Sequence, residues 1–123
     1  MFDERQIDNW EASLAERAER ARTVAQRLAA LTATVRDRDG LVEVTLGATG
    51  TLTDLVLDDR VRHQSAQTTS QQILAAVRAA QADLAQQAAQ VTAEAYGEDS
   101  PTASAIMDSY RRGLNPNGAH EQA

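Results

Sequence analysis

Cysteine is absent from this chain of 123 residues, which removes disulfides, thiolate metal sites and cysteine nucleophiles together. Aromatic residues make up only 3%, and the apolar share leans on Ala, so the core must be thin and built from close helix contacts. No apolar run approaches the roughly 20 residues of a membrane span. The N-terminal MFDERQIDNW carries acids where a signal peptide has basic and then apolar residues, so a cytoplasmic home is expected. Lysine is missing as well. All 12 basic residues are Arg, set against 18 acids for a net charge of -6. Residues 1–31 hold 5 Arg and 6 acids, 32–62 hold 4 and 6, 63–96 hold 1 and 2, and 97–123 hold 2 and 4. No segment is basic, which puts phosphate binding at an electrostatic disadvantage.

What is present is a change of period. In residues 4–31 Ile7, Leu14, Ala21 and Leu28 are seven apart, and Trp10, Val24 and Leu31 continue the offset set, with Arg17 interrupting it. That is the heptad seam of an amphipathic helix. Glu16 and Arg20 have the spacing and order of a helical ion pair. From Thr32 the period drops to two. Leu31, Ala33 and Val35 share one face, as do Val42, Val44 and Leu46, and Asp39-Gly40 between them is a tight-turn signal. GATG at 47–50 makes a second turn into TLTDLVLDD, where Thr53, Leu55 and Leu57 are expected to face the core and Asp54 and Asp58 water. The result is a three-stranded antiparallel meander.

A second helix is expected to begin between Ser65 and Ser70, with Thr69 and Gln72 spaced as a capping box, and to end at Gly97. Ile73, Val77, Leu84 and Val91 form its stripe, beside Ala76, Ala80, Ala88 and Ala95. The domain boundary is set at residue 96. Residues 97–123 then comprise the linker GEDSP, a short helix over 102–113 anchored by Ile106, Met107 and Tyr110, and a disordered tail. The fold class is α+β: long helix, three-stranded meander, long helix. Strands of about six residues span roughly 20 Å, and each helix is about twice as long. Half of each apolar stripe would project past the sheet, so a second copy of the chain is expected to cover it. The residues assigned to this combined core and dimer seam are Ile7, Trp10, Leu14, Leu28, Val42, Val44, Leu55, Leu57, Val77 and Leu84.

The element order over residues 4–95, with GLVEVTLGATGTLTDLVLDD at its centre, resembles the YbaB/EbfC nucleoid-associated family. Gly40, Leu41, Val42, Val44, a turn near Gly47 and Leu57-Asp58 match the family's pattern of a glycine opening the second strand, a G-L-V-x-V run and a third strand ending in an apolar residue and Asp. The resemblance implies a cytoplasmic, nucleoid-located homodimer whose helices project like tweezers from a central sheet and which binds duplex DNA with little sequence preference. It implies no catalytic residue, no cofactor and no small-molecule substrate. The acidic balance and Ala-rich second helix are also similar to the actinobacterial EspL-like branch associated with type VII secretion loci. Under that resemblance the chain is a dimeric protein-interaction module that does not bind DNA.

Among individual groups, Arg17, Arg20, Arg22 and Arg27 are the candidates for phosphate contact, because guanidinium forks suit phosphate oxygens and Arg20 and Arg27 share a face. The competing reading is a solvated helix face paired to Glu16 and Glu19. DDRVRH at 58–63 places Arg60, Arg62 and His63 beside Asp58 and Asp59, and reads as a polar loop. Those two carboxylates are read as turn chemistry, with no third carboxylate at metal spacing. His63 and His120 belong to no nucleophile pattern, and no metal site or enzyme activity is expected. GATG lacks the Lys of a phosphate loop. Trp10, a conceivable base-stacking platform, is assigned to the helix seam.

Overall fold

A computed structural model describes residues 3–114. Its elements are α1 (Glu4–Ala29), β1 (Ala33–Arg36), β2 (Val42–Leu46), β3 (Leu52–Leu57), a 3-10 turn over Asp59–His63, α2 (Ala66–Tyr96) and α3 (Pro101–Leu114). The expected class is observed: long helix, antiparallel three-stranded sheet in the order β1-β2-β3, long helix, short C-terminal helix.

α1 starts at a reciprocal capping box, in which the Asp3 carboxylate accepts from the Gln6 amide and the Gln6 side chain accepts from the Asp3 amide. The β1–β2 turn is held by Asp37, whose Oδ1 accepts from the Leu41 and Val42 amides at 2.6 and 2.9 Å, while Gly40 takes a φ of 71°. Gly50 closes the β2–β3 turn at a φ of 81° and donates to the Gly47 carbonyl. Both glycines sit where an L side chain would be strained.

Two strands and one helix make the core. Ala33 of β1 and Val42, Val44 and Leu46 of β2 are buried against Ala76, Ala80 and Leu84 of α2. The Ala positions let the helix axis approach the sheet closely. β3 departs from the expected pattern. Between Thr45 and Leu46 the register with β3 shifts, so Thr45 pairs with Asp54 and Leu46 with Leu52, and Thr53 is the extra residue. The Thr53 hydroxyl instead donates to the Thr45 carbonyl at 3.2 Å. Leu52, Leu55 and Leu57 thereby align with Leu46, Val44 and Val42, yet every residue of β3 is exposed. α2 lies over β1 and β2 and leaves the third strand bare.

α2 begins one turn earlier than the Thr69/Gln72 spacing suggests. Ser65 is its N-cap, accepting from the Thr68 amide, and Gln64 binds both Thr69 and Gln72 through its side-chain amide. The far half of α2 is not left projecting. Ala88, Val91 and Thr92 are buried where α3 runs back along the helix, burying its own Ala103 and Met107. α3 starts at Pro101 behind Ser100, whose hydroxyl accepts from the Thr102 and Ala103 amides. Leu114, expected in the tail, is the last residue of α3 and is buried in the main core. The rest of the expected tail lies outside the described residues.

Tyr110 packs against the same core, and its hydroxyl is buried without a hydrogen-bond partner among the described residues. Burial pushes its pKa above the ordinary 10.0. One long apolar stripe does extend uncovered: α1 residues 4–23 are exposed apart from a half-buried Ser13, and Val24 is the only buried residue of the helix. At 1.5 Å per residue that arm is about 30 Å long.

Candidate nucleic-acid interface

Arg17, Arg20, Arg22 and Arg27 all lie in the second half of α1, and all four are exposed. Helical spacing sets Arg17, Arg20 and Arg27 on the side that also carries Val24 and Leu28, with Arg22 on the other side; Val24 is buried and Leu28 half-buried there. Their electrostatic states differ. Arg22 Nη1 donates to Glu19 Oε2 at 2.8 Å one turn back, and Arg27 Nη2 reaches across to Glu94 Oε2 of α2 at 3.0 Å. Arg17 and Arg20 have no ion-pair partner among the described residues. Helical spacing alone pairs Arg20 with Glu16; the folded chain pairs Arg22 with Glu19 instead.

The two free guanidiniums are the better phosphate ligands of the four. A solvent-exposed ion pair is worth little, about 0 to 1 kcal/mol, so Arg22 and Arg27 are attenuated and not silenced. Arg20 and Arg27 line an open groove between α1 and the end of α2, together with Glu16, Glu19 and Glu94. The groove is therefore mixed in sign.

The second basic group is more thoroughly tied down. Asp58 caps the 3-10 turn by accepting from the Arg60 amide and side chain at 2.9 Å, and its pKa falls below the ordinary 3.8 chiefly through those two hydrogen bonds. Arg60 also donates to the Asp39 carbonyl, which locks the turn to the β1–β2 loop. The expected loop is thus a short helix with internal ion pairs, including a long 3.9 Å contact of Arg62 with Asp59. Among the described residues no cluster of His, Asp or Glu is arranged to hold a metal ion, and no helix is long and apolar enough to cross a membrane.

Of the seam residues, Val42, Val44 and Leu84 are buried, and Leu28 and Val77 are half-buried. Ile7, Trp10, Leu14, Leu55 and Leu57 are exposed on the single chain. Trp10 is 64% exposed among the described residues. Sequence reasoning missed Leu114 and Ala103 as core residues, although their spacing from Met107 and Tyr110 on one helical face could have shown them.

A family model described as the YbaB/EbfC DNA-binding family matches residues 4–99. No curated protein matches, and no solved structure does.

Proposed function

The chain belongs to the YbaB/EbfC DNA-binding family, and on that premise we propose that it acts in the nucleoid as a homodimer that binds duplex DNA with low sequence specificity. The observation that carries the reading is the exposed arginine face of α1, in which Arg17 and Arg20 stand without carboxylate partners among the described residues. Arg contacts to phosphate position a protein on the duplex without reading bases, so the affinity is backbone-driven and falls with salt. Dimerisation uses the bare strand: Leu52, Leu55, Val56 and Leu57 are exposed on both faces of β3, and its outer edge is unpaired. A twofold partner covers these residues and doubles the number of arginine faces. The partner of the chain is then itself, with DNA as the shared ligand.

The test is an anisotropy titration with duplex DNA at several salt concentrations. Replacing Arg17 and Arg20 with Ala should weaken binding evenly across sequences and flatten the salt slope by about 0.9 for each phosphate no longer neutralised. Replacing Arg22 and Arg27 should do less. Binding no tighter than tens of micromolar at low salt rejects the reading.

The net charge of -6 supports a second reading, a protein-interaction module of the EspL-like kind that does not bind DNA. A pull-down from the native host that recovers a protein partner and no nucleic acid favours it.

A further inference from the structure

The first twenty residues of α1 carry an apolar seam, Ile7, Trp10 and Leu14, that stays exposed among the described residues. Isolated helices of this length are marginal in water. The arm is also divided by charge. Asp3, Glu4, Asp8, Glu11 and Glu16 stand against Arg5 alone in its first half, and Arg17, Arg20, Arg22 and Arg27 against Glu19 alone in its second. This division favours the helix macrodipole within one chain, and it also makes the arm complementary to itself when turned end for end.

We propose that the α1 arm docks on the α1 arm of a second copy, antiparallel, about a twofold axis near Leu14. The axis sets Leu14 against its own counterpart, Glu11 at the height of the partner arm's second-half arginines, and Trp10 beneath the seam between them. Antiparallel pairing opposes the two macrodipoles favourably, whereas a parallel pair would bring acid against acid along the first half. The arm surface is separate from β3, so the pairing adds to the self-association proposed above and does not replace it. It draws on Arg17 and Arg20, the same side chains offered to phosphate.

Trp10 is the sole tryptophan of the chain, and there is no native cysteine, so both fluorescence and site-specific cross-linking report without background. In the absence of nucleic acid, Trp10 emission should shift to the blue as concentration rises, in step with mass measured by light scattering. Leu14→Asp should abolish the shift while leaving helicity intact, because Leu14 is exposed on the single chain. Under mild oxidation Ser13→Cys should link two chains and Gln6→Cys should not, since an antiparallel pair places Gln6 far from its counterpart. A blue shift that disappears in Leu14→Asp, with linking at 13 alone, supports the proposal. Water-exposed Trp10 emission in a protein that is dimeric by mass overturns it and leaves the β3 dimer standing. A single-chain mass throughout overturns both. Equal linking at 6 and 13 overturns the antiparallel arrangement.

Discussion

Val44 and Leu55 face each other across the β2–β3 ladder, yet Val44 is 0% exposed and Leu55 is 39% exposed. The difference is one of cover. A helix about 10 Å across spans two strands spaced about 4.8 Å apart and not three.

Substitution on the two sides of that ladder should therefore separate assembly from stability. Leu55→Asp should lower the mass of the assembly at micromolar concentration by removing the β3 contact, with a thermal midpoint for the chain changed little. Leu46→Ala, at a fully buried site, should cost about 2 to 5 kcal/mol in denaturant unfolding. If Leu55→Asp combined with Leu14→Asp kept the wild-type mass, β3 would not be an interface.

Gly50→Ala should be markedly more harmful than Gly47→Ala. A Cβ on Gly50 would come within 3.1 Å of the Leu114 Cδ2, and its φ of 81° is already unfavourable for Ala. The conformational part alone amounts to about 1 to 3 kcal/mol. At Gly47 an added Cβ would meet ordinary contact distances and no such φ. Parallel urea melts of the two variants measure the gap.

Tyr110→Phe should stabilise the protein or leave it unchanged, because it removes a buried hydroxyl that has no partner among the described residues, a group that costs about 1 to 3 kcal/mol to desolvate. The pH dependence follows from the raised pKa. A group whose folded pKa lies above its unfolded value contributes stability that is present below the unfolded value and lost as pH rises through the folded one. Wild-type stability should thus decline above the ordinary tyrosine value of 10.0, and the decline should be smaller in Tyr110→Phe. Thermal midpoints recorded from neutral to alkaline pH check it; an identical decline in both proteins would contradict the assignment.

Alternation at Val42, Val44 and Leu46 and the Asp39-Gly40 turn were enough to place the sheet, and the Ala-bearing stripe of α2 was enough to place its cover, because those signals are local and repeat. The exposure of β3 was not legible. Its leucines alternate as buried residues do, and whether they are buried depends on the width of a helix elsewhere in the chain. The shift at Thr53 moved Leu52 into alignment with Leu46 through one extra residue, which composition does not announce. The expectation that both long stripes project uncovered does not hold for α2, since α3 returns along it, whereas the α1 seam is exposed among the described residues. At the candidate site the four arginines were visible from their helical spacing. That Arg22 and Arg27 are paired and Arg17 and Arg20 are not depended on rotamers and on Glu94, 67 positions from Arg27.

The path of α3 has a consequence for cooperativity. It leaves α2 at Gly97, runs back, and seats Leu114 beside Gly50, so sheet, long helix and final helix close into a ring. Amide protons of α3 should therefore exchange with solvent through the same opening event that releases β2, and not through independent fraying. The matched family segment stops at residue 99, while the unit expected to open as one extends to 114.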